Sequence, residues 1–170
     1  MEKWCVVLAL LLSGSLNSCA PPESQQSGAQ TNDPAVEVTA VERVIDNWIN
    51  AANANDPDKV LSLVCDNVEA IPPDHAPVTG ADAHQLYRGF FEPYNFAFNS
   101  NTTELVVSGD WALRRYSYNI TLTPKAGGDP ISMQGHGIHI FHREADGSWC
   151  VAKDMWNSVP AESVSGQGDR

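Results

Sequence analysis

The stretch Met133-Gln-Gly-His-Gly-Ile-His-Ile-Phe-His-Arg-Glu-Ala-Asp-Gly-Ser-Trp-Cys-Val-Ala-Lys-Asp-Met-Trp-Asn157 decides the fold. Two extended runs flank a polar turn, Glu144-Ala145-Asp146-Gly147. Asp-Gly between such runs is a strong short-range hairpin signal, because it supplies the positive φ that a tight turn needs. Three of the five histidines and two of the five tryptophans lie in this hairpin. Strict alternation puts His139 and Phe141 on one face and Ile138 and Ile140 on the other.

Upstream, Trp111 to Thr123 is a long aromatic and β-branched run, with Ala112, Arg114, Tyr116, Tyr118, Ile120 and Leu122 on one face. Thr102 to Ser108 reads as the strand before it, joined by Gly109-Asp110, and Pro124 to Asp129 as the turn after it. The first half of the domain is helical. Asp33 caps a helix with Pro34 in its first position, and Thr39 and Glu42 offer a second capping box. Val41, Val44, Ile45, Trp48, Ile49 and Ala52 recur at helical spacing until Asn53-Ala54-Asn55. Asp56-Pro57 restarts a short helix. Val68 to Ile71 is a short strand ended by Pro72-Pro73, Asp74 to Gly80 a loop, and Ala81 to Phe91 a third helix. Helices first and a strand meander afterwards predict an α+β fold, with three N-terminal-half helices on one face of an antiparallel sheet.

The chain has 170 residues, suited to one domain, and is 42% hydrophobic, enough for a core. Ten basic against 21 acidic side chains give a formal net charge of −11, which repels nucleic acid and anionic lipid headgroups.

The segment 1–18 reads as a signal peptide, with Trp4 to Leu12 as its apolar run. Leu16-Asn17-Ser18-Cys19 resembles a bacterial lipobox, so Cys19 is the expected lipidation site and membrane anchor. The alternative is a plain secreted protein with Cys19 left over. Residues 19–33 are polar and aperiodic and read as a lipidated flexible tether; 34–158 is the folded domain, and 159–170 a disordered tail. The expected address is the cell envelope, facing the periplasm from the outer membrane in a Gram-negative cell. Once Cys5 and Cys19 are set aside, Cys65 and Cys150 form an even pair in an oxidising compartment and are expected to be disulfide-bonded; two buried free thiols are the other reading.

Several motifs carry a family likeness. They are Trp48 with Asn53-Ala54-Asn55-Asp56, Ile71-Pro72-Pro73, Val78-Thr79-Gly80, Gly109-Asp110-Trp111-Ala112, Leu122 to Gly128, and Asp146-Gly147-Ser148-Trp149 running to Lys153 to Asn157. With them the chain, from about Val36 to Ser158, resembles the nuclear-transport-factor-2-like cone shared by ketosteroid isomerase and the SnoaL polyketide cyclases, and within it the DUF 4440 group. The likeness implies a cone with an apolar pocket between curved sheet and helices. It implies no single function, because the fold hosts isomerases, cyclases, dehydratases and binders.

Chemistry in such a pocket needs an acid or base and a donor for developing negative charge. By the resemblance, Asp74 falls near the base of ketosteroid isomerase, Trp48 at the position of its oxyanion tyrosine, and His139 near its partner acid. Trp48 is a donor but no acid, so the isomerase carry-over is partial. Asp154 is an acid on a strand face, assigned by alternation to the side of Cys150, Ala152 and Trp156. Such an acid is either paired, with Arg114 as the natural partner, or functional. The catalytic candidates are therefore Asp74, His139 and Asp154. The expected ligand-binding residues are Trp48, Tyr87, Phe90, Arg114, Tyr116, Tyr118, Phe141 and Trp156. His136, His139 and His142 alternate faces and do not converge on a metal, and no cofactor motif is present. Two readings remain: an isomerase- or cyclase-like enzyme acting on a small apolar molecule, or a non-catalytic ligand-binding or assembly module. Apolar residues on both sheet faces predict a homodimer.

Overall fold

A computed structural model of the chain describes residues 33–160. The signal-peptide and tether segments, and Cys19 with them, lie outside the described residues.

Helix α1 spans Pro34–Asn53, and the Asp33 carboxylate accepts from the Ala35 amide at 3.0 Å. It buries Val41, Ile45, Ala51 and Ala52. Its end is fastened to the sheet by two asparagines: Asn53 Oδ1 accepts from the Phe98 amide at 2.7 Å, and Asn55 Oδ1 from the Phe96 amide at 2.8 Å. These side chains act as a substitute strand edge, which gives Asn53-Ala54-Asn55 a physical role beyond ending a helix. At the other end Arg143 Nη1 meets Glu37 Oε1 at 2.7 Å, and Trp149 Nε1 donates to Glu37 Oε2 at 3.1 Å. Helix α2, Pro57–Leu61, is capped by Asp56, and α3 spans Gly80–Phe91.

The strands are β1 Val64–Ile71, β2 Val78–Thr79, β3 Tyr94–Ser108, β4 Trp111–Pro124, β5 Ile131–Arg143, β6 Trp149–Trp156 and β7 Val159–Pro160. They form one curved, unclosed sheet in the order β2-β1-β6-β5-β4-β3, with β7 beside β5. The three helices pack on it, completing the α+β cone. Four differences from the sequence reading have local causes. The sheet is mixed, because β1 runs parallel to β6 while the other pairs are antiparallel. Strand β3 begins at Tyr94 rather than Thr102: the asparagines in Tyr94-Asn-Phe-Ala-Phe-Asn-Ser-Asn101 disguise a regular alternation whose apolar members are Phe96 and Phe98. Strand β1 begins at Val64 rather than Val68. Val159–Pro160 pairs with Met133 and Gln134, so the chain is still in the sheet where a tail was expected.

Strand β6 carries a β-bulge. Ile140 faces Lys153 and Phe141 faces Val151, which leaves Ala152 as the extra residue. A bulge shifts the inward–outward alternation by one residue. Strict alternation put Asp154 on the side of Cys150. The bulge instead places Val151 and Asp154 inward, while Cys150 bonds Cys65 across the β1–β6 edge, with Cα atoms 5.2 Å apart. Phe141 is fully buried in the main core with Val41, Val68, Ala70 and Val151.

Candidate active site

Three ionisable residues line up across the sheet. Arg114 on β4 is paired with His139 on β5, and His139 with Asp154 on β6. All three are buried, at 1%, 3% and 4% exposure. The sheet therefore carries a polar row through an otherwise apolar layer, an arrangement that costs stability unless each group is partnered.

The Asp154 carboxylate ends the row on β6. Tyr87 Oη, from α3, donates to its Oδ2 at 3.0 Å. His139 Nε2 lies 3.2 Å from its Oδ1 and also 3.2 Å from Tyr116 Oη. The histidine contact has ion-pair distance without hydrogen-bond alignment, so Asp154 Oδ1 and His139 Nδ1 are buried with no hydrogen-bond partner. Trp48 packs on the rings of both Tyr87 and His139, 5.6 and 5.5 Å between centroids.

Arg114 is not the partner of Asp154. Its Nε donates to Thr102 Oγ1 at 2.9 Å and its Nη2 to Ser100 Oγ at 2.8 Å, and its guanidinium lies over the Tyr116 ring at 4.3 Å. Thr102 is the first residue of the strand expected from the sequence, and Ser100 lies in the added length of β3 ahead of it. Burial lowers the Arg114 pKa, opposed by the charges of Tyr116, Asp154 and Asp46.

Two glycines of β5 make room for the tyrosines. A Cβ on Gly137 would lie 2.3 Å from the Tyr116 ring, and one on Gly135 would lie 2.8 Å from the Tyr118 ring. The rings thus lie over the neighbouring strand, bringing Tyr116 Oη to His139 and Tyr118 Oη to the Asn157 carbonyl at 2.7 Å. Burial, followed by the Asp154 charge, raises the pKa values of Tyr87 and Tyr116. The Tyr87–Asp154 hydrogen bond raises that of Tyr87 further, whereas Arg114 opposes the shift at Tyr116. Both phenols are thereby held protonated, and Tyr87 gives its hydrogen to Asp154.

A cavity of about 440 Å³ opens beside this row. Its wall includes Trp48, Tyr87, Phe90, Tyr116, Tyr118 and Trp156, all six expected from the sequence. Phe91, Phe96 and Phe98 join them, and the alternation of Phe96 and Phe98 was the available signal. Asp154 lines the cavity; His139 and Arg114 stand behind it, and Phe141 belongs to the core, so these three are not wall residues. Asp74 is exposed in the turn after Pro72-Pro73, at φ 59°, and does not line the cavity; its neighbour His75 does. Of the three catalytic candidates, Asp154 lines the cavity, His139 stands behind it in contact with Asp154, and Asp74 is outside. His136 and His142 lie on the face opposite His139, and His142 packs on Trp111.

A curved sheet with helices over an aromatic cavity and a buried carboxylate in its wall defines a cone of the nuclear-transport-factor-2-like class. Residues 45–152 match the SnoaL-like domain, and the chain belongs to that family. The fold is similar to a conserved protein from Planctomyces limnophilus, with 25% identity and a TM-score of 0.69 over 75% of this chain and 99% of that one. It is similar to a ketosteroid isomerase-like protein from Erwinia carotovora, with 24% identity and a TM-score of 0.66 over 74% and 98%. It is also similar to a candidate scytalone dehydratase from Novosphingobium aromaticivorans, with 17% identity and a TM-score of 0.65 over 74% and 85%. No curated protein sequence matches the chain.

Proposed function

We propose that this domain binds a small, largely apolar molecule in the aromatic cavity and performs acid–base chemistry on it through Asp154. One observation carries the reading: the carboxylate of Asp154 lines a cavity walled by aromatic rings, and Tyr87 holds its Oδ2 by a hydrogen bond. An acid on rigid strands, held by groups that are themselves packed, is poised to move a proton. Tyr116 Oη is the wall phenol that could stabilise negative charge developing on a bound oxygen, since the Tyr87 hydrogen is given to Asp154. Isomerisation or cyclisation of a carbonyl compound uses these elements and needs no cofactor. Mass spectrometry of small molecules extracted from protein made in its own host identifies the ligand. Asp154→Asn, compared at saturating ligand, should then convert it at least 100-fold more slowly. Equal turnover by wild type and variant would leave a binding module.

We also propose that the domain sits in the cell envelope as a lipid-anchored homodimer. Leu16 to Cys19 after an apolar run supports the anchor, and Cys19→Ser should release the protein from membranes. Exposed Val106, Trp111, Leu113 and Met155 on the outer sheet face support the dimer, which light scattering at micromolar concentration would read as twice the chain mass.

A further inference from the structure

We propose that the ligand of this cavity is a hydrophobic amine bound in its protonated form. The inference rests on the cavity being the ligand site and goes on to name the ligand's chemistry. Three observations carry it. First, the wall presents aromatic groups from α1, α3, β4 and β6, among them Trp48, Tyr87, Phe90, Tyr116 and Trp156. The face of an aromatic ring is negative, and several rings around one space attract a cation more than a neutral group of the same shape.

Second, the wall holds one carboxylate and no lysine or arginine among the described residues. Arg114, the nearest buried cation, spends its Nε on Thr102 and its Nη2 on Ser100 and has no hydrogen bond to Asp154. His139 does not supply a well-partnered second charge. Its Nδ1 faces no acceptor, so an imidazolium would bury an N–H with nothing to receive it. An anionic ligand would meet Asp154 unscreened in a space of low dielectric.

Third, Asp154 Oδ1 has no hydrogen-bond donor, although the residue is 4% exposed. The carboxylate thus stands in the cavity wall with one aligned donor, Tyr87, and a charge that no cation beside it neutralises. An ammonium group in the cavity supplies the opposite charge, while the rings take its substituents. A volume of about 440 Å³ suits two or three rings with a short amine arm.

Isothermal titration of the purified full chain with three naphthalene probes of matched shape tests this. One carries a dimethylaminomethyl group, one an isopropyl group and one a carboxymethyl group. The amine is expected to bind at least ten-fold tighter than the isopropyl probe, with no binding by the carboxylate. In Asp154→Asn the amine should fall to the level of the isopropyl probe, whose own affinity stays within two-fold. An amine advantage below ten-fold in the wild type, or one that persists in Asp154→Asn, overturns the amine assignment while leaving the cavity as the ligand site. Failure of all three probes to bind overturns both readings. The wild-type comparison stands by itself if Asp154→Asn does not fold.

Discussion

Tyr87 on α3 donates its phenolic hydrogen to Oδ2 of Asp154 on β6, 3.0 Å away and 67 residues distant in sequence. This bond joins a helix to the acid of the sheet and is the one aligned side-chain hydrogen bond that Asp154 receives. Removing the donor leaves a buried carboxylate oxygen unpaired. Tyr87→Phe should therefore cost about 1–3 kcal/mol, read as a lower midpoint in urea unfolding at an unchanged slope.

The raised tyrosine pKa values set a limit at high pH. Burial, first, and the charge of Asp154 lift Tyr87 above its ordinary value of 10.0, and Tyr116 and Tyr118 are raised as well. A group whose folded pKa exceeds its unfolded value contributes stability that is fully present below the unfolded pKa and is lost as pH rises above it. The domain should hold its stability below pH 10 and lose it progressively above. Absorbance titration at 295 nm should show Tyr87, Tyr116 and Tyr118 ionising only with unfolding. Ionisation of all the tyrosines near pH 10 in a folded domain would contradict the buried placement.

Two glycine substitutions should act in opposite directions. A methyl on Gly137 meets the Tyr116 ring, which is itself packed on Arg114 and His139 and has no space to yield. Gly137→Ala should destabilise by about 1–3 kcal/mol. Gly89 lies within α3 with open space at its Cβ position, so Gly89→Ala should stabilise by about 0.5–1 kcal/mol. Differential scanning calorimetry of the two variants measures both signs.

Cys65 and Cys150 are bonded across a sequence separation of 85. Opening so long a loop should cost about 2–5 kcal/mol, measured as the drop in unfolding midpoint on replacing both with alanine. Thiol titration of the non-reduced, denatured chain should find neither sulfur free.

Much of this architecture is legible in the sequence. Asp33-Pro34 and Asp56-Pro57 mark helix starts because cap chemistry is local. Trp111 to Thr123 marks a strand because alternation is local too. The tyrosine wall follows from that alternation, and so does the burial of Arg114. What could not be read depends on neighbours distant in the chain. The partner of Arg114 is a pair of hydroxyls on β3, not the acid two strands away, and short-range patterns do not encode which residues a strand will face. Asp74 has the chemistry of a base and the sequence position of one, but the turn after Pro73 carries it into solvent. Gly135 and Gly137 read as weak strand residues until the rings beside them are seen.

The extra residue at Ala152 makes the electrical character of the cavity a matter of threading. Lys153 and Asp154 are adjacent and opposite in charge, and a pleated strand can turn only one of them inward. With the bulge the interior receives the anion and Lys153 pairs outside with Glu69. Without it, and with Ala152 kept, the same residues would present an ammonium to the ligand and a carboxylate to water. A single inserted or deleted residue in this strand can therefore reverse the polarity of the cavity without altering any side chain that lines it elsewhere. Among relatives of this fold, gaps near the end of the last long hairpin should accompany changes in the charge of what is bound more closely than substitutions do.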